Sequence, residues 1–213
     1  MLINISSDHL YIYQDHNKIV IPRGNLEVQL PKTMNELMSK WDFSKKFEIY
    51  VINGPWSFTN LRVGCLVCNM IASIYHHTKH IDIWLYDISK LDLFGLLYEK
   101  GYLPRYGMIY IWQQKNYWKC DLDMMWWEKV TLADYLHDGT IDLSDIFEGD
   151  YFVDEVWDRT FVNEIWFGWD EDNLTILISG KKVEISMKDI PWIQVEKLIP
   201  NYILQPNIWS GKL

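Results

Sequence analysis

The chain has 213 residues, enough for one large domain or two small ones, and 49% of them are hydrophobic, so either arrangement can bury a real core. Its 20 basic residues face 29 acidic ones for a formal charge of -9, which argues against an unaided grip on nucleic acid, since neutralising phosphates needs clustered Lys and Arg. No apolar run suggests a bilayer span, and MLINISSDHL lacks the basic start and apolar core of a signal peptide. Three cysteines (Cys65, Cys68, Cys120) make no even disulfide framework, so a cytoplasmic setting is expected.

The first third alternates strand and helix. Met1–Ser6, His9–Tyr13 and Lys18–Ile21 read as short strands, the first two joined by Ser7-Asp8. Pro31 suits the first turn of a helix running through Met34, Leu37 and Met38 to Trp41. Phe47–Ile52, FEIYVI, is a continuous apolar strand of the kind buried on both faces. Asn53-Gly54-Pro55 breaks it, and a long helical pattern follows from Phe58 to His77. Ile81–Tyr86 is another apolar strand, and Ser89 caps a helix through Leu91, Phe94 and Leu97 that ends at Gly101. Past the Pro104–Gly107 linker, Met108–Gln113 and Tyr117–Asp121 suit a hairpin, and Thr131–Leu136 suits a short helix. Phe161–Phe167, Leu174–Ser179 and Val183–Ser186 suit strands, the last two joined by a tight turn. The order β-β-β-α-β-α-β-α predicts an α/β fold, a mixed sheet with helices on its faces, followed by a smaller α+β half.

Ile52–Ile71, INGPWSFTNLRVGCLVCNMI, carries the functional signal. A buried strand, a Gly-Pro turn, a Ser/Thr pair and an apolar helix form a unit that presents helix N-terminal amides to an anion, or else only a tight strand-to-helix turn. This run resembles the TsaB (YeaZ) family, whose members carry Gly-Pro-Gly-Ser-Phe-Thr-Gly-Leu-Arg-(Val/Ile)-Gly here. Gly54, Pro55, Ser57, Phe58, Thr59, Leu61, Arg62, Val63 and Gly64 match, while Trp56 and Asn60 replace two glycines. Asn4 stands for an aspartate in the opening strand, and Pro200–Pro206, PNYILQP, is similar to the family's terminal motif. The resemblance is strong over residues 1–105 and thin from Asp121 to Leu198.

That resemblance implies an actin/Hsp70/sugar-kinase-like (ASKHA) fold of two subdomains, residues 1–105 and a reduced 106–213 whose C-terminal tail could pack back on the first. It implies a non-catalytic subunit, without cofactor or metal, paired with a TsaD-type catalytic subunit that forms threonylcarbamoyl-adenosine on tRNA. An accessory ATPase could join them, and the chain itself would touch neither nucleic acid nor membrane. The alternative is an actin-like-fold ATP-dependent small-molecule kinase or an acyl or carbamoyl transferase. Against it, Trp56 obstructs a loop where a phosphate needs bare backbone, and Asn4 removes a hard oxygen ligand for magnesium. Gly54, Pro55, Trp56, Ser57, Thr59 and Asn60 are therefore read as a vestigial phosphate loop. The helix that follows is apolar nearly all round at GCLVCNMIASI, more than one sheet face requires. The expected partner surface, for the TsaD-type subunit or for a homodimer, is Leu37, Leu61, Gly64, Val67, Cys68, Met70, Ile71 and Ile74.

Other patterns carry less. His76 and His80 share a helix face without a third ligand, and the acidic residues from Asp138 to Glu155 fail the spacing of a calcium loop. Cys65 and Cys68 lie in a C-x-x-C inside an apolar helix, where they suit small core residues. Twelve tryptophans against 11 glycines are unusual, and Trp56 stands where a glycine is expected. Some bacteria read UGA as glycine, so codon 56 of the gene is expected to be UGA; reading UGG there would end the idea that Trp56 is a recoded glycine.

Overall fold

The computed structural model describes residues 1–7, 9–14, 17–42, 46–54, 58–111, 116–124, 126–131, 136–137, 140–141, 149–154, 165–169, 172–178 and 181–202. The first half follows the predicted order: β1 (Leu2–Asn4), β2 (Leu10–Gln14), β3 (Asn17–Ile21), α1 (Leu26–Ser39), β4 (Phe47–Ile52), α2 (Phe58–Lys79), β5 (Ile83–Ile88) and α3 (Lys90–Glu99). Six strands form one mixed sheet ordered β15-β5-β4-β1-β2-β3, in which β4 and β5 run parallel and β15 (Ile193–Val195) runs antiparallel on the β5 edge. This is an α/β fold with a mixed sheet flanked by helices.

The chain divides into two compact units. One comprises Ile3–Tyr11, Val20–Lys90 and Trp192–Leu213; the other comprises Met1–Leu2, Ile12–Ile19 and Leu91–Pro191. In the first, Pro31 does not open a helix. It lies inside α1, which starts at Leu26 after a short 3-10 turn. An internal proline forfeits one backbone bond. Here the stripe Leu26, Leu30, Met34 and Met38, all buried at i, i+4 spacing, holds the earlier turn in place. β4 buries Phe47, Ile49, Val51 and Ile52 but leaves Glu48 and Tyr50 half-buried, so it is not covered on both faces as expected. On that open face Tyr50 stacks on Tyr86 across the β4–β5 pair, and Lys46 bonds Glu48 at 2.6 Å while lying 4.4 Å over the Trp84 ring.

α2 runs two residues beyond the expected His77, and by length and composition alone it could cross a bilayer. One face is packed within the first unit: Leu61, Gly64, Cys65, Val67, Cys68 and Ile71 are buried, and the helix lies beside α1 and β5. Gly64 sets how close it comes to the sheet, since a Cβ there would stand 2.5 Å from Cγ2 of Ile5.

The second unit holds two further sheets and a hairpin. β6 (Tyr106–Ile111), β7 (Asn116–Asp121), β8 (Trp126–Thr131) and β11 (Tyr151–Val153) form a sheet ordered β11-β6-β7-β8, with β11 parallel to β6. β12 (Ile165–Trp169), β13 (Asn173–Ile178) and β14 (Lys181–Ser186) form an antiparallel meander, and β9 (Leu136–His137) pairs with β10 (Thr140–Ile141). The helix expected at Thr131–Leu136 is not formed at its two ends. Thr131 closes β8 and Leu136 opens β9, while 132–135 lie outside the described residues. Phe152 of β11 packs edge-on to Phe94 of α3 and covers Gly107, where a Cβ would meet its ring at 2.1 Å. α3 ends as predicted at Gly101 (φ +75°): the Tyr102 N–H reaches the Leu97 carbonyl and the Gly101 N–H that of Tyr98, a Schellman closure.

Replacing Gly64 by valine is expected to destabilise the fold by about 1–3 kcal/mol, because Cγ2 sits on the branched carbon of Ile5 and cannot swing away. Urea unfolding would show a lower midpoint at an unchanged slope.

Candidate functional site

The site lies where the carboxyl ends of β1, β4 and β5 meet the start of α2 and of α3, the position at which open α/β sheets bind ligands. β1 ends in Asn4, whose carboxamide is engaged by the loop that follows. Its Oδ1 accepts from the Ser6 N–H at 2.9 Å, and its Nδ2 donates to Ser7 Oγ at 3.0 Å. Ser6 Oγ donates to the Ile52 carbonyl at 3.2 Å, and Asn60, in the first turn of α2, donates to the Ser7 carbonyl at 2.8 Å. Asn4, Ser6, Ser7 and Asn60 are all fully buried.

Below β4, Gly54 adopts φ +66° and its carbonyl accepts from the Lys90 N–H at 2.7 Å. Lys90 opens α3 and is itself fully buried, its ammonium donating to the Ser6 carbonyl at 2.7 Å. A buried cation without bonded acceptors would be costly, and a backbone carbonyl at this distance offsets part of that.

The crevice is closed by the chain's own segment Leu198–Tyr202. Asn53 donates to the Ile199 carbonyl at 2.8 Å and accepts from the Asn201 N–H at 3.2 Å, while also donating to Asp87 Oδ2 at 3.2 Å. Asn69, half-way along α2, donates to the Leu198 carbonyl at 2.9 Å and accepts from its N–H at 2.8 Å. The Asn201 carbonyl lies so near Gly54 that a Cβ there would stand 2.0 Å away. Gly54 is therefore kept bare by the strap, as well as by its positive φ. The Tyr202 ring stacks on Phe58 at 5.1 Å, and burial pushes the Tyr202 phenol pKa up.

The expected site residues separate into groups. Gly54 and Asn60 stand in the crevice and Thr59 is half-buried at the helix start; Pro55, Trp56 and Ser57 lie outside the described residues. Of the expected partner surface, Leu61, Gly64, Val67, Cys68 and Ile71 are buried in the chain's own core, and Leu37 of α1 is half-buried. Gly64, expected to let a partner's helix approach, lies against Ile5 of the chain's own first unit. Met70 (50% exposed) and Ile74 (49%) remain outside, joined by Leu66 (53%), which the sequence reading missed although it continues the same i, i+4 row. These three border a groove of about 980 Å³ that reaches Glu196 and Lys197.

The remaining candidates resolve as structural. Burial raises the thiol pKa of Cys65, and that of Cys68 to about 12, so this C-x-x-C holds two protonated, inert thiols. His76 bonds Asp82 at 2.8 Å, and among the described residues no three metal-binding side chains come together.

No protein-family profile matches the chain, and no curated protein matches it. Among solved structures it is similar to "YeaZ from Pseudomonas aeruginosa", with a TM-score of 0.38 at 16% identity over 71% of this chain and 73% of that one. It is also similar to "an uncharacterized protein with similarity to peptidase YEAZ from Pseudomonas aeruginosa", with a TM-score of 0.40 at 15% identity over 72% and 73%.

Asn53→Ala is expected to release the strap while leaving the sheet folded. Amide exchange at Asn201 would rise roughly 5- to 150-fold, matching the roughly 1–3 kcal/mol that a lost buried partner costs. Asn69→Ala would do the same at Leu198. Protection at both amides unchanged from the parent would disprove the clamp.

Proposed function

We propose that the chain is a non-catalytic subunit that binds and supports a TsaD-type enzyme in forming threonylcarbamoyl-adenosine on tRNA. The observation that carries this reading is the filled crevice. The place where an actin-like enzyme would hold nucleotide phosphates is occupied from within by Asn201 and Tyr202, packed on Gly54 and Phe58. Asn4 is neutral, and its Oδ1 already accepts from the Ser6 N–H while its Nδ2 donates to Ser7 Oγ. The run Gly54–Gly64, with its family resemblance, then serves to seat α2 and the strap. What α2 offers outward is a row of apolar side chains, Leu66, Met70 and Ile74, with the polar rim of His76, Asp82 and Lys197 around its groove. An exposed apolar row on an acidic chain suits a partner's helix, because contiguous patches of this kind are otherwise kept small. The acidic balance is consistent with tRNA being held by the partner.

Met70→Glu and Ile74→Glu test the face without touching the core, both positions being half exposed. A carboxylate buried unpaired in a helix contact costs several kcal/mol, so co-purification with a TsaD-type subunit should weaken by at least 100-fold with the circular dichroism unchanged. Calorimetry with ATP and magnesium should show no stoichiometric heat. Tight nucleotide binding would instead favour the kinase or transferase reading, and well-folded charge variants that pair as the parent does would remove α2 from the interface.

A further inference from the structure

The segment that fills the crevice pairs first as an edge strand and then as two clamped peptides. Its grip is addressed to backbone: β15 pairs with β5 through Ile193↔Asp87, Gln194↔Tyr86 and Val195↔Leu85. Asn69 then reads both polar groups of Leu198, and Asn53 reads a carbonyl of Ile199 and an amide of Asn201. Three side chains add selectivity, Trp192 against Tyr50, Leu198 in the core and Tyr202 on Phe58. The rest of the segment faces outward, with Ile193 63% and Ile199 72% exposed. The chain arrives from the other compact unit, and the crossing falls at Pro191–Trp192. Pro191 has a fixed φ and no N–H to commit to either unit.

A seat of this kind recognises an extended peptide, and nothing in its bonds requires that the peptide belong to the same molecule. We propose that Trp192–Tyr202 exchanges between copies of this chain: the strap of one copy seats on β5, Asn53 and Asn69 of a second, and the second returns its own. The exchanged pair keeps every bond of the closed monomer and repeats each across a two-fold axis, so exchange changes only the linker at Pro191 and the cost of association. Because a tethered strap sees its own seat at an effective concentration of about millimolar, the closed form dominates in dilute solution and the exchanged dimer grows in as the protein is concentrated. The strap borders the Leu66–Met70–Ile74 groove through Glu196 and Lys197, but its bonds to β5, Asn53 and Asn69 use none of those three side chains, so substitutions in the row and in the clamp test the two assignments apart.

The register supplies the test. Gln194 and Tyr86 lie directly opposite across β15 and β5, and the Cα spacing of such antiparallel pairs, roughly 4.5–5.5 Å, falls within the range that a disulfide spans. The native thiols are buried, with Cys68 and Cys120 pushed up to about 12, and do not compete. The full chain carrying both Gln194→Cys and Tyr86→Cys, oxidised when dilute, should close within one molecule. Two full chains carrying one substitution each, mixed at about millimolar and oxidised, should give a covalent heterodimer on a non-reducing gel. Its yield should fall about tenfold when Asn53→Ala and Asn69→Ala are added, and should not change with Met70→Glu. The proposal is overturned if the double variant closes while the mixed singles give no more heterodimer than Gln194→Cys copies give with one another. It is equally overturned if the double variant fails to close, because the seat would then be absent.

Discussion

The carboxamide of Asn53 is the interaction on which the crevice depends. One side chain, at the end of β4, bonds Asp87 on β5, Ile199 and Asn201 on the strap, and lies 3.8 Å from the Cys65 thiol on α2. An amide has two donor and two acceptor sites, and here they tie two strands, a helix and the tail together at one point. Its own N–H is spent on Ile88, and Gly54 next to it turns through a positive φ so that its carbonyl meets Lys90. Strand ends that would otherwise form an open, ligand-sized notch become a closed, bonded junction. Removing such a node leaves several buried groups unsatisfied at once, a larger loss than any single bond contributes.

α2 translates that junction to the surface. Gly64 lets it lie against Ile5, Asn60 and Asn69 are directed at backbone of the same unit, and the consequence is a fixed rotation about the helix axis. That rotation decides which apolar residues are consumed inside and which are left out, and it leaves out Leu66, Met70 and Ile74. The polar satisfaction is incomplete in places. Among the described residues, Asn60 Oδ1 and the indole nitrogens of Trp41, Trp118 and Trp192 are buried without a hydrogen-bond partner. Trp41 and Trp192 nonetheless supply ring edges to Phe47 and Tyr50, packing that a smaller residue would forfeit.

The β-β-β-α-β-α-β-α order was legible because each element there carries its own period, 2 for the strands and 3.6 for α2. Pro31 misled because the local rule for proline was outweighed by four buried side chains on one stripe, which only the packed helix reveals. β15 was invisible: Ile193-Gln194-Val195 is three residues long, exposed, and defined by a partner over a hundred positions earlier in the chain. Leu136 was read as helical because an isolated apolar residue in a short window carries no period. At the site, the Gly54–Gly64 run was readable as a strand-to-helix turn, but Asn53 and Asn69 were not, since a lone asparagine has no pattern and its meaning lies in the peptide it faces. PNYILQP belongs to a tail expected to pack back on the first subdomain, but the sequence carries no sign of which backbone groups Asn53 and Asn69 would hold.

The separation of those partners bears on how the molecule is made. The bonds from Asn53 to the strap join residues 146 and 148 positions apart. A ribosome delivers β1 to α3 roughly a hundred residues before the edge strand and the two clamped peptides emerge. Until they do, the β5 edge presents unpaired backbone and Gly54 faces an empty notch, the state in which nascent chains pair wrongly with one another. Closing so long a loop adds entropy cost slowly with length, but it must be met before any clamp bond repays it. Completion of the first unit therefore waits on Trp192–Tyr202, and a chain that has not yet made this segment leaves its β5 edge open to wrong pairing.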